Sequence, residues 1–227
     1  MKRLTAIGNN FSHNLTVRKV IAAVLGNIIL GFGCAGLKLS LMGNEPYTAV
    51  NLAMSEGFHM GLGNYQLIVN ALLFIIQLIW GYTYIGFGSV VNLVGLGYII
   101  QGADWVLATT IGDCTGKSLI FSLLYMAVSM VVLTFGLGMY QEADVGLSPY
   151  DYLSNGMSSG MKWPFFLCRV LTDTVCVIVI IVAVFTGFIG WENAHLGVGT
   201  VIGAFCLGPL VAAFRKLNGK WITPSSR

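Results

Sequence analysis

Six long apolar runs, separated by short polar stretches, dominate the pattern of the sequence. Each run is long enough to cross a hydrocarbon layer of roughly 30 Å as an α-helix, which rises about 1.5 Å per residue. The pattern therefore predicts an all-α polytopic membrane protein with six transmembrane helices. The approximate bounds of these helices are 20–39, 64–80, 86–104, 118–140, 164–186 and 196–214.

Two shorter stretches begin with the same Pro-Tyr pair. The stretch 43–57 returns as 146–160, 103 residues later, with its first glycine, Pro-Tyr, Met-Ser and last glycine in the same places. Proline is favoured at the first position of a helix because its missing N–H has no partner there. A helix of about 11–12 residues reaches only about 17 Å, so each stretch predicts a short helix that does not span the membrane.

An internal duplication explains the recurrence. The offset of 103 residues also brings Leu30 into register with Leu133 and Gly33 with Gly136, and each copy holds three spanning helices. Because three is odd, the second copy enters the membrane in the opposite sense, as in inverted-topology repeats. The chain then divides into a cytoplasmic N-terminal segment, membrane repeat 1, an external connection, membrane repeat 2 and a cytoplasmic C-terminal tail, at 1–19, 20–105, 106–117, 118–214 and 215–227.

Composition excludes a soluble domain, and the placement of the basic residues predicts the orientation of the chain in the membrane. The chain is 56% hydrophobic and 9% charged, with a mean hydropathy of +0.80. Basic residues precede the first run and follow the last one, which predicts that both ends are cytoplasmic. The first run is of span length and more spans follow it, so we expect an uncleaved helix rather than a signal peptide.

Familiar catalytic and metal-binding patterns do not occur in the sequence. The five cysteines form no Cys-x-x-Cys, and the three histidines are scattered. There is no Walker motif, no Gly-x-Ser-x-Gly and no His-Glu-x-x-His. We therefore expect no enzyme activity, no cofactor, no metal site and no nucleic-acid partner.

Two charged residues in the fifth predicted span carry the first candidate site. Arg169 and Asp173 lie four residues apart, on one face of a helix inside the bilayer, and their counterparts in the first copy are Gln66 and Asn70. The same face is thus polar in both copies, which indicates a polar cavity at the repeat interface. The alternative is a structural ion pair that holds the fifth span against its neighbours.

The starts of the two short helices are the second candidate site. Half-helix N-termini point N–H groups at substrate in many inverted-repeat transporters. Glu45 and Asp151 occupy these turns, where they cap the helix dipole locally and weaken the case for an anionic substrate. Alternatively, both helices are interfacial and only maintain the shape of the repeats. The full set of substrate-binding candidates is Arg169, Asp173, Gln66, Asn70, Asn51, Ser154, Asn92, Tyr47 and Tyr150.

Three motifs resemble a known family. They are Gly-Asn-Ile-Ile-Leu-Gly-Phe-Gly in the first span, Gly-Asn-Glu-Pro-Tyr-Thr at 43–48 followed by Asn51, and Gly-Leu-Ser-Pro-Tyr-Asp at 146–151. The chain resembles the YczE/YyaS/YitT-like bacterial integral membrane proteins over about 20–214. It shows no sign of the soluble C-terminal domain of the YitT-type members, which favours the shorter YczE-like branch. The resemblance implies a six-span protein of the bacterial cytoplasmic membrane, a transporter without an established substrate, and it implies no catalytic residue.

The sequence thus favours a small inverted-repeat transporter for a small polar or amphipathic solute. The two Pro-Tyr helices act as its gates, and the thin bundle of three-plus-three spans favours a homodimer in the lipid bilayer. One alternative is a substrate-binding subunit of a multi-component importer, which would require ATPase partners. Another is a membrane scaffold or accessory protein that transports nothing.

Overall fold

The protein is described here by a computed structural model of residues 15–222. Within this range it contains eight α-helices and two short 3-10 turns, and no β-strand. The helices are α1 Val17–Leu39, α2 Pro46–Gly57, α3 Leu62–Trp80, α4 Phe87–Thr110, α5 Leu119–Glu142, α6 Pro149–Met161, α7 Phe165–Phe185 and α8 Val198–Ile222. The turns are Tyr82–Tyr84 and Trp191–Asn193. Much of the two predicted cytoplasmic ends lies outside the described residues.

Six of these helices are long and apolar enough to cross a membrane, as the hydropathy pattern predicts. The all-α prediction is confirmed, and α2 and α6 are the two short Pro-Tyr helices. Two predicted helix ends are wrong, because α4 continues past 104 to Thr110 and α8 continues past 214 to Ile222. Hydropathy locates the edge of the membrane, whereas a helix continues until a residue interrupts its backbone hydrogen bonds.

The closest helix contact is the crossing of α1 and α5. A Cβ atom added to Gly33 would collide with the backbone of Leu133, and one added to Gly136 would collide with the backbone of Leu30. Without a hydrophobic force between helices in lipid, such close backbone contact is a main source of packing energy. The glycines of the first span therefore serve close helix packing, as their number in the sequence indicates.

The remaining helices form two layers around this crossing. In one layer, α4 packs against α1 and α8 packs against α5. In the other, each short helix packs against both α3 and α7. The layers meet closely where α3 contacts α4, but α7 and α8 make few contacts with each other. This difference leaves a gap between α7 and α8.

The loop before each short helix binds the start of a distant long helix. The N–H of Gly88 in α4 donates to the carbonyl of Val145 at 2.7 Å, and the N–H of Gly199 in α8 donates to the carbonyl of Met42 at 2.7 Å. These loops turn through Gly43 and Gly146, whose φ angles of 95° and 113° favour glycine. The starts of the short helices are thereby fixed against the outer helices.

Candidate functional site

Two stacked tyrosines lie where the short helices meet. The ring centroids of Tyr47 and Tyr150 are 3.9 Å apart, with an angle of 12° between the ring planes. The hydroxyl of Tyr47 donates to Oδ1 of Asn70 at 2.5 Å, and the hydroxyl of Tyr150 donates to Oδ1 of Asp173 at 2.6 Å. All four side chains are buried, so this stack fixes the first turns of α2 and α6 to α3 and α7.

Arg169 joins this stack to the start of α6. Its Nη1 lies 2.7 Å from Oδ1 of Asp151, and its Nε lies 3.4 Å from Oδ1 of Asp173. The guanidinium carbon also lies 4.8 Å from the ring centroid of Tyr150, a cation–π distance. The predicted ion pair with Asp173 is therefore present, but the shorter contact is with Asp151. Asp151 lies in the first turn of α6 and accepts a hydrogen bond from the Ser148 hydroxyl, as a local role predicts, and in addition it binds Arg169.

Glu45 adds a third carboxylate at the start of α2. It is buried and accepts hydrogen bonds from the backbone N–H groups of Tyr47 and Thr48 and from the Thr48 hydroxyl. Among the described residues it forms no ion pair. Burial raises the pKa of Glu45 from its ordinary value, although the positive charge of Arg169 acts in the opposite direction.

A small cavity of about 40 Å³ lies between the two helix starts, with room for a water-sized group. Glu45, Asp151 and Arg169 line it together with the two tyrosines. Asp173 contacts Arg169 from the side, so three carboxylates accompany one guanidinium in the interior of the bundle. The cluster carries an excess of negative charge whenever all three carboxylates are ionised.

A larger cavity of about 440 Å³ fills the gap between α7 and α8. We call it the α7–α8 cavity. Arg169 and Asp173 lie among its lining residues, as do Gln141 and Arg215 from the ends of α5 and α8. The rest of its wall is largely apolar and consists of Leu137, Phe165, Phe166, Gly203, Ala204, Leu207, Gly208, Pro209, Val211 and Ala212. A molecule with a polar end and an apolar body matches this lining.

Four predicted site residues form no hydrogen bond with Arg169 or its carboxylates among the described residues. Gln66 is fully buried where α3 meets α4, and neither polar atom of its side chain has a hydrogen-bond partner among the described residues. Asn92 donates to Oδ1 of Asn27 at 2.8 Å and joins α4 to α1, although it also lines the small cavity. Asn51 donates to the Tyr47 carbonyl, and the Ser154 hydroxyl bonds that of Thr172.

Sequence reasoning missed how the carboxylates converge. Glu45 and Asp151 are recognisable as capping residues, but only folding brings them to Arg169 and the tyrosine stack. It also missed the ion pair between Lys38 and Asp104, whose Nζ and Oδ2 atoms lie 2.8 Å apart. No group of three or more His, Cys, Asp or Glu residues suited to a metal ion occurs in the part of the chain that the structure describes.

The two tyrosine hydroxyls provide a matched test of this geometry. We expect Tyr150→Phe to lower the free energy of unfolding by about 2 kcal/mol, because Asp173 loses a hydrogen bond to a charged group, and Tyr47→Phe by only about 1 kcal/mol, because Asn70 is neutral. Denaturation midpoints of the purified proteins measure both. Tyr98→Phe is the control, since its bond to Asn64 is exposed. A larger loss for Tyr47→Phe would contradict the arrangement.

Known proteins that are similar to this chain indicate its family. A model for a family of unknown function, DUF6198, matches residues 17–216. The chain is also 25% identical over 139 residues to a Bacillus subtilis (strain 168) protein described as "Uncharacterized membrane protein YczE". This match covers 61% of the chain and 62% of the relative, which is less than two thirds of the relative's length. No solved structure matches the chain. The two matches confirm the YczE-like resemblance and identify no activity.

Proposed function

The chain belongs to the DUF6198 family, and we propose that this member is a small-solute membrane transporter rather than an enzyme or a scaffold. One observation carries the proposal. A 440 Å³ cavity leads to Arg169 and Asp173, which belong to the buried cluster between the two short helices. Ionisable groups in the membrane interior are costly to keep, so their position in a cavity favours a role in binding or coupling.

Matched contacts in the two halves support an inverted repeat. Tyr47 with Asn70 and Tyr150 with Asp173 repeat one hydrogen bond at an offset of 103 residues. The collisions of Gly33 and Gly136 with the opposite helix repeat at the same offset. The bonds from Gly88 and Gly199 to the loops before the short helices also repeat, at an offset of 111 residues, at which Gly-Phe-Gly-Ser-Val at 86–90 recurs as Gly-Val-Gly-Thr-Val at 197–201. A site between two such halves is where inverted-repeat transporters bind substrate.

The membrane and its sidedness follow from this proposal. Basic residues at both ends favour a multi-pass protein of the bacterial cytoplasmic membrane with cytoplasmic termini. Arg215 lies near the end of α8 and lines the α7–α8 cavity. In this orientation the cavity faces the cytoplasm in the state described.

Charge and lining favour one class of solute. The carboxylates of Asp151 and Asp173 outnumber the guanidinium of Arg169, which disfavours an anion, and most of the cavity wall is apolar. We therefore propose a small amphipathic solute whose polar end is neutral or cationic. Asp173 would accept hydrogen bonds from that end, or take up a proton or small cation that moves with it.

A thermal-shift screen of the detergent-purified protein tests the function. A ligand that binds the native state raises the unfolding midpoint by mass action, by about 2.7 kcal/mol of stability at a hundredfold excess over Kd. The panel consists of organic amines, neutral amphipathic metabolites, carboxylic acids and monovalent ions. We expect a response to amines or neutral amphipaths that is lost in both Arg169→Ala and Asp173→Ala.

Two other outcomes would contradict the proposal. A response that both variants retain would remove Arg169 and Asp173 from the binding site. No response to any compound, with both variants merely less stable, would favour a scaffold whose ion pairs are structural. A third outcome, co-purification of an ATPase complex together with the expected ligand response, would identify a substrate-binding subunit of a larger importer.

A further inference from the structure

We propose that α3 and α4 form the walls of a second solute cavity, which is closed in this structure and opens to the opposite membrane face when the α7–α8 cavity closes. The inference rests on the proposed transport function and adds its other conformational state. We call the contact between α3 and α4 the α3–α4 seam and define it by Gly63, Gln66, Gly97 and Tyr98, which pack against one another across the two helices.

The seam and the cavity consist of corresponding residues. At offsets of 103 in α3 and 111 in α4, the seam residues correspond to Phe166, Arg169, Gly208 and Pro209. All four of these counterparts line the α7–α8 cavity. Corresponding helix pairs therefore pack closely in one half and leave a gap in the other.

A pair of corresponding glycines shows the difference most directly. A Cβ atom added to Gly97 would lie 3.0 Å from Cβ of Gln66 and 3.1 Å from Cα of Gly63. One added to Gly208 would meet nothing within 4 Å. Both positions lack a side chain, so both can accept the close approach of a facing helix. The facing helices approach closely at the α3–α4 seam and stand apart at the α7–α8 cavity.

The side chain of Gln66 indicates that the closed seam is not its only environment. Gln66 is fully buried, and its Oε1 and Nε2 atoms both lack a hydrogen-bond partner among the described residues. Leaving both atoms unpaired costs about 1–3 kcal/mol for each group. Opening the seam would let the amide bond water or solute, as its counterpart Arg169 can in the open cavity.

A hydrogen bond joins the two helices at the outer end of the seam. The N–H of Gly63 in α3 donates to Oε1 of Gln101 in α4 at 3.0 Å. The counterparts of these residues, Phe166 and Ala212, both line the open cavity, and an alanine side chain cannot accept such a bond. The Gly63–Gln101 bond would have to break for the seam to open.

Thiol labelling tests the exchange without knowledge of the solute. The full chain carries Cys206→Ser, which removes the exposed cysteine and leaves the four buried ones. A reporter cysteine is introduced as Gln66→Cys in one protein and Gly208→Cys in another. Intact cells and inside-out vesicles are treated with a membrane-impermeant methanethiosulfonate, and mass spectrometry of peptides measures the rate at each site. Should Gln66→Cys fail to fold, Leu93→Cys reports on the same pair of helices, since the carbonyl of Leu93 in α4 lies 3.5 Å from Nδ2 of Asn70 in α3.

The expected result is labelling from opposite faces. Gly208→Cys should react quickly from the cytoplasmic face, and Gln66→Cys slowly from the external face. Gln101→Ala should raise the rate at Gln66→Cys by about fivefold, as expected for loss of one hydrogen bond across the seam, and should not raise the rate at Gly208→Cys. Asp104→Asn is the matched control, since its ion pair with Lys38 joins α4 to α1 and should leave both rates unchanged.

Two results would overturn the inference. Gln66→Cys could stay unlabelled from the external face even with Gln101→Ala, or it could label from the same face as Gly208→Cys. Either result would leave the ligand-response test of the proposed function unaffected, because the labelling requires no solute. Conversely, absence of any ligand response with labelling from opposite faces would contradict the proposed function and retain the conformational exchange.

Discussion

Replacing Arg169 by alanine is expected to lower the free energy of unfolding more than the removal of any other single side chain in the buried cluster. The substitution leaves Asp151 and Asp173 without their cation inside the bundle. Removing one partner of a buried ion pair is strongly destabilising, and we expect a loss of about 3 kcal/mol, or roughly 8 °C in the unfolding midpoint. Thermal unfolding of the purified variant measures the shift.

A double substitution separates the loss of stability from the loss of function. Arg169→Gln with Asp173→Asn gives α7 the residues that α3 carries at Gln66 and Asn70. It removes a carboxylate together with the guanidinium, so about half of the lost stability should return. The ligand response should stay absent. If the unfolding midpoint of Arg169→Ala stayed within about 2 °C of the wild-type value, the two carboxylates would not depend on Arg169 for their stability in the folded protein.

Replacing Gly33 by alanine is expected to prevent normal packing of the bundle. The new Cβ atom would collide with the backbone N and Cα of Leu133, which cannot move aside as a side-chain end can. The crossing of α1 and α5 must then widen, at a cost of at least about 3 kcal/mol. We expect most of the expressed protein to elute as aggregate in size-exclusion chromatography, with a lowered midpoint in the remainder.

Gly102→Ala is the matched control for this prediction. Gly102 lies in α4, and a Cβ atom added there would meet nothing within 4 Å. Alanine is a better helix former than glycine by about 1 kcal/mol, so this variant should be as stable as wild type or slightly more so. If Gly33→Ala and Gly102→Ala behaved alike, the close crossing of α1 and α5 would not be the centre of the fold.

Local chemistry made much of the fold predictable. Apolar runs of span length located the six long helices, and Pro46 and Pro149 marked the starts of the short ones. The ends of α4 and α8 were less predictable, because hydropathy changes at the membrane surface while helix propensity does not. Arg169 and Asp173 were recognisable as a candidate site because charge is rare and costly within a span.

The candidate site was predictable only in part. Pairing Arg169 with Asp173 follows from helix geometry, since residues four apart share a face. The contact with Asp151 joins two helices, and no spacing within either helix indicates it. Gln66 shows the converse case, because its correspondence with Arg169 was clear from the sequence but its burial between α3 and α4 was not.

By itself the sequence determined the helices and the polarity of each helix face, since these depend on neighbouring residues and on the transfer of side chains out of water. Only the tertiary structure decided which carboxylate binds Arg169, that Tyr47 stacks on Tyr150, and that α7 and α8 enclose a cavity whereas α3 and α4 pack closely. These contacts join residues far apart in the sequence, so they depend on how the whole set of helices packs and not on any segment of the chain.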